Sequence, residues 1–128
     1  MPAFANYIIY LLLSGMLLVF FFVIYTRVTP YDEVQLIRQG NNAAALSLGG
    51  AILGFSLTIA SAILHTSRLP EFVAWAVGAL VVQLIAYAVT TKFMVISKDH
   101  IESGNAAFGG ILGAISLAVG AINAACIS

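Results

Sequence analysis

Five basic and five acidic residues are all the charge this chain carries, and they fall into three short clusters, at residues 27–38, 68–71 and 92–102. The runs between them, 1–26, 39–67, 72–91 and 103–128, carry none. Each is as long as the roughly 20 residues that a helix needs to cross about 30 Å of hydrocarbon. Unpaired charge is costly in lipid, so the clusters mark loops and the runs mark spans. The expected fold class is an all-α polytopic membrane protein with four transmembrane helices, one membrane domain over residues 1–128. Composition agrees, at 62% hydrophobic and 8% charged, where a soluble domain carries about 25% charged residues. A soluble helical core would show a polar face at the helical period, and residues 8–24 show none. A membrane barrel would need strands alternating in polarity. The first run lacks a positive leading region and has too long an apolar core for a secretory signal, so it reads as a retained helix.

Arg27, Arg38, Lys92 and Lys98 lie in the first and third loops against Arg68 alone in the second, which places loops 1 and 3 in the cytoplasm and both termini outside. Thr29-Pro30-Tyr31-Asp32 supplies a hydroxyl cap, a first-turn proline and an acid. A short amphipathic piece is therefore expected over residues 30–39, with Tyr31, Val34 and Ile37 towards lipid. Pro70 opens the third span, and Trp75 sits at anchoring depth.

Shifting the chain by 64 residues lays Ile37 on Ile101, Gly40 on Gly104, Asn41 on Asn105, Ala43 on Ala107, Leu48 on Leu112, Gly49 on Gly113 and Leu53 on Leu117. Two repeated helical hairpins of the same orientation are expected, about 4–65 and about 70–127, related by an axis along the membrane normal. Within them Gly40 and Gly104 free the backbone where each following span begins, and Asn41 and Asn105 cap its first amides. The alternative use of these four residues is a pair of helix N-termini converging on an anion or a lipid headgroup. Gly50 and Gly54 in the second span, with Gly109 and Gly113 in the fourth, form close-packing seams. Bulky Phe20, Phe21 and Phe22 suit a lipid-facing wall.

No charged residue lies mid-span, which disfavours a carboxylate relay or a voltage sensor. Gln83 is the deepest strongly polar residue; it either bonds another helix or lines a pathway. His65 and His100 fall near opposite membrane faces and cannot share a metal within one protomer. Cys126 has no partner for an internal disulfide and is expected buried. Ser14, Ser56, Ser61 and Ser116 have no histidine and acid in a motif, and Gly109-Gly110-Ile111-Leu112-Gly113 lacks the strand and the Lys-Ser/Thr of a phosphate loop. No catalytic, cofactor or metal residue is assigned, no enzyme activity is expected, and zero net charge offers no nucleic-acid surface.

Thr29 through Ile37, the following Gly-Asn-Asn-Ala-Ala-Ala, Gly50-Ala51-Ile52-Leu53-Gly54-Phe55, Ala74-Trp75, Gln83-Leu84 and Asn123-Ala124-Ala125-Cys126 together resemble the YjfL-like bacterial inner-membrane family, a domain of unknown function (DUF350). The resemblance spans nearly the whole chain. It implies a four-helix, multi-pass protein of the bacterial inner membrane, with genes that tend to lie beside envelope-stress genes, and brings no settled activity. Where the family often has a proline in the second span, this chain has Thr58, which bends a helix only mildly.

Two functions remain open. One is a non-enzymatic component of a homo- or hetero-oligomeric membrane complex. Its partners would be membrane lipids, further copies of itself, and a membrane or soluble cytoplasmic protein recruited through Asp32, Glu33, Lys98 and Asp99. The other is an oligomeric passive channel or carrier for an ion or small solute, lined by Gln83, Ser47, Asn41 and Asn105.

Overall fold

The computed structural model describes residues 3–127. It contains helices α1 (Ala3–Val28), α2 (Glu33–Arg38), α3 (Asn42–His65), α4 (Leu69–Phe93), α5 (Lys98–Glu102) and α6 (Ala106–Cys126). Of these, α1, α3, α4 and α6 are long and apolar enough to cross a membrane, and the charge clusters fall between them or in their end turns. The short helices α2 and α5 sit on the first and third connections, at one end of the bundle.

The first connection departs from expectation in register. Helix α2 starts at Glu33, with Asp32 as its cap: the Asp32 carboxylate accepts from the Gln35 amide at 3.2 Å. Thr29 lies four residues before that start, and its hydroxyl donates to the Glu33 carboxylate at 2.7 Å instead. Val34 and Ile37 face outward as expected. Tyr31, expected towards lipid, is buried, and so is Glu33, expected to be free for a soluble partner. Tyr31 lies before the first helical turn, so the helical period that turns Val34 and Ile37 outward does not govern it.

The bundle is built around α3 and α6, which run parallel in direct backbone contact. Ala43 lies against Gly109, Leu46 against Gly113, Gly50 against Gly113, and Gly54 against Gly120. A side chain at any of these glycines would meet backbone of the facing helix, which no rotamer change can relieve. Lipid provides no hydrophobic force to join helices, so dispersion across such close approaches supplies the attraction. Thr58 adds a polar clasp, its hydroxyl 3.0 Å from the Gly54 carbonyl in its own helix and 3.2 Å from the Gly120 carbonyl. Helix α3 runs unbroken through Thr58.

Helix α4 packs on both, through Phe72, Ala76, Ala79, Leu80 and Gln83. Helix α1 is the outermost element and buries only Phe21 and Tyr25. Phe21 stacks on Phe55 with ring centroids 4.4 Å apart, while Phe20 faces out. The expected wall of three phenylalanines is therefore split by the helical period: Phe21 and Tyr25, one turn apart, share the inner face. Cys126, expected buried, is exposed at the end of α6.

Candidate functional site

The four residues singled out at the span starts occupy equivalent local geometry. Gly40 and Gly104 have φ of 83° and 80°, in the left-handed region where glycine carries no steric penalty. Each lets the chain reverse from a short helix into a long one. Asn41 caps α3, its side-chain oxygen accepting from the Ala44 amide at 3.0 Å. Asn105 caps α6, accepting from Ala107 and Phe108 amides at 3.1 and 3.3 Å. Beyond the caps the two differ. The Asn41 amide also donates to the carbonyls of Ile101 and Glu102, at 2.7 and 3.3 Å, and so ties the start of α3 to the end of α5.

Gln83 is wholly withdrawn from the surface. Its side-chain nitrogen donates to the Ala51 carbonyl at 3.2 Å, and its oxygen has no partner. Gly54 makes room for it, since a methyl group there would lie 2.7 Å from the Gln83 nitrogen. Ser47 is buried and turned to the Ala44 carbonyl. Ser61 donates to the Ala124 carbonyl across the seam, and the His65 ring nitrogen Nδ1 contacts the Ser61 carbonyl at 2.8 Å. Gln83 and Ser61 thus bind α3 to its neighbours, while the Ser47 and His65 contacts stay within α3.

A second polar group, absent from the sequence reading, gathers at the end of the bundle that carries α2. Glu33 is fully buried there among Tyr25 of α1, Tyr31, and Tyr87 of α4, and all four lie within electrostatic reach of one another. The Tyr25 and Tyr87 rings meet edge to face at 5.5 Å. Buried Ser47 of α3 lies beside Tyr31, and Ser116 of α6 beside Tyr25. One Glu33 oxygen contacts Thr29. The other, with the hydroxyl oxygens of Tyr25 and Tyr31, is buried without a partner. The helical period gave no signal for it: Glu33 and Ile37 are one turn apart on α2 and share an edge by spacing, yet Glu33, in the first turn, is fully buried while Ile37 is exposed.

Burial pushes the Glu33 carboxyl up to about 7, against the opposing pull of the Thr29 hydrogen bond, and Asp32 adds a small upward push. Burial also raises the Tyr31 hydroxyl above its ordinary value. The folded protein therefore holds the Glu33 proton more tightly than the unfolded chain. The resulting stability is fully present below about 4.5 and is lost as pH rises through about 7. Melting temperature in low-salt detergent should fall across that window in the native protein. Glu33→Gln should remove the fall, and an unchanged slope in that variant would refute the assignment.

Among the described residues no three His, Cys, Asp or Glu side chains gather as a metal site. His100 stacks on Phe108 at 4.2 Å and accepts from the Ser97 amide at 3.0 Å, at the opposite end of the bundle from His65.

The family described as Domain of Unknown Function (DUF350) matches residues 1–127. The inner membrane protein YjfL of Escherichia coli (strain K12) is 34% identical over 119 residues, covering 93% of this chain and 90% of that protein. The transmembrane protein YshE of Bacillus subtilis (strain 168) is 32% identical over 112 residues, covering 84% and 82%. No solved structure matches.

Proposed function

This chain belongs to the DUF350 family, and we propose that it is a non-enzymatic, self-assembling subunit of a bacterial inner-membrane complex. The observation that carries this reading is a groove on the outer face of the α3–α6 seam. It has a volume of about 280 Å³ and is lined by Leu46, Gly49, Leu53, Gly110, Ala114 and Leu117. A methyl group at Gly49 would meet nothing within 4 Å. Small residues that open such a groove on a lipid-facing surface let a helix of a second copy approach closely.

Three further readings go with it. The two halves are taken as a same-orientation duplication about an axis along the membrane normal. In support, each half has a short helix, a left-handed glycine, an asparagine cap and a span, and the side-chain bonds across the seam join residues 62 and 63 apart. The second puts both termini outside, supported by the excess of cations in loops 1 and 3. A soluble partner would use Asp32, Lys98 and Asp99, which are exposed, and not Glu33. A pathway lined by Gln83 is disfavoured, since that side chain is buried and donates to α3 inside the protomer.

Native mass spectrometry of gently extracted protein should show a homo-oligomer of defined copy number. Gly49→Leu, which fits the protomer but fills the groove, should release monomers with an unchanged helical circular dichroism spectrum. A native monomer, or an oligomer indifferent to Gly49→Leu, would overturn this reading.

A further inference from the structure

The oxygen cluster around Glu33 has a composition that helix packing does not require. Every span contributes to it: Tyr25 from α1, Ser47 from α3, Tyr87 from α4 and Ser116 from α6, with Tyr31 and Glu33 from the first connection. Glu33 Oε2, Tyr25 Oη and Tyr31 Oη are buried without a well-formed hydrogen bond; Ser116 lies near the Tyr25 hydroxyl, and Ser47 and Tyr87 near that of Tyr31, while Glu33 Oε2 has no such neighbour. Single unpartnered polar atoms also occur at Ser14, Gln83 and Asn123, but among the described residues only here do they gather near a fully buried carboxylate, which needs a counter-charge or a proton.

The donors decide its chemistry. All are oxygens, as hard cations prefer. The cluster holds one carboxylate, and the neighbouring acid Asp32 faces solvent. A divalent ion would keep an uncompensated charge in a low-dielectric site, and calcium takes six to eight oxygens, usually several of them from carboxylates. A monovalent ion balances Glu33 one for one, while the hydroxyls of Tyr25, Tyr31 and Tyr87 can replace part of its water. Access is available too. A cavity of about 170 Å³ lined by Tyr31, Tyr87, Thr91, Ser97 and Lys98 abuts the cluster from the loop end. The rim ammonium of Lys98 leans on Glu102 at 3.9 Å.

We propose that Glu33, with the hydroxyls of Tyr25, Tyr31 and Tyr87, binds a single monovalent metal cation of the sodium or potassium class at the α2 end of the bundle. The site lies within one protomer and does not depend on assembly through the α3–α6 groove.

The test is the melting temperature of the purified full chain in sodium, potassium or N-methylglucamine chloride at matched ionic strength. Sodium or potassium should raise it saturably over N-methylglucamine, because a ligand that binds only the folded state stabilises that state. Tyr31→Phe, which keeps the ring and removes one oxygen, should raise the half-saturating concentration about tenfold. Glu33→Gln should abolish the response, and Glu102→Gln, an exposed acid, should keep it. If Glu33→Gln fails to insert, Tyr25→Phe and Tyr31→Phe carry the same test. Superimposable melts in the three salts would show that the tyrosines merely donate to Glu33 and would overturn the proposal. So would a response confined to calcium, one unaffected by Tyr31→Phe, or one that disappears in Glu102→Gln.

Discussion

Gly113→Ala is expected to destabilise the fold by about 3 kcal/mol, read as a lower midpoint of SDS-induced unfolding in mixed micelles. The added methyl group would meet the Leu46 carbonyl, a backbone atom of the opposing helix. Relief requires α3 and α6 to separate, and separation forfeits dispersion along the whole seam, because interhelical contact in lipid has little else to sustain it. Gly50→Ala should cost a similar amount, since its methyl group would meet the Gly113 backbone. Gly78→Ala is the control. That position faces open space on α4, and trading glycine for alanine in an open helical position gains about 0.5–1 kcal/mol. The test therefore turns on sign as well as size. Equal effects at positions 78 and 113 would show that glycine acts here through helix propensity, and that the backbone contact is not what joins the spans.

Much of this architecture can be read from the chain because lipid punishes ambiguity. A charge inside the hydrocarbon costs too much to be placed carelessly, so Arg27, Arg68 and Lys92 announce where spans end. Small residues at helical spacing announce close packing for the same reason: little else holds helices together there. The Gly-Asn pairs announce reversals, because a left-handed residue followed by an amide cap has few other uses.

What stayed hidden is the orientation of one short helix. Treating charges as loop markers also treats them as exposed, and that assumption fails at Glu33. Asp32 and Glu33 are adjacent and chemically alike, yet one caps α2 in solvent and the other is fully buried. Their fates part because Thr29 engages Glu33 and leaves the capping to Asp32, a difference of register that hydropathy does not encode. Gln83 was harder to place for a related reason. An amide at mid-span signals only that a partner exists, and the partner proved to be a backbone carbonyl of α3, which has no sequence signature.

Asn41 and Asn105 offer the sharpest comparison of the two halves, because the residues match while their partners do not. Asn105→Ala should cost about 1 kcal/mol, the usual loss of a helix cap. Asn41→Ala should cost about 2–3 kcal/mol. It loses the same cap and also the bonds to α5: the Glu102 carbonyl loses its Asn41 donor, and the Ile101 carbonyl keeps only the Gly104 amide. Aspartate separates the two contributions. Asn105→Asp keeps the accepting oxygen and adds a negative charge at the positive end of α6, so it should be neutral or mildly stabilising. Asn41→Asp keeps the cap on α3 but turns a donor into an acceptor facing two carbonyls, so it should remain destabilising. SDS unfolding midpoints of the four variants suffice to decide. Equal losses for the two alanine variants, or an innocuous Asn41→Asp, would mean that the bond from Asn41 to α5 contributes nothing. The ordering expected here would instead identify that bond as the clamp between the first half of the chain and the second.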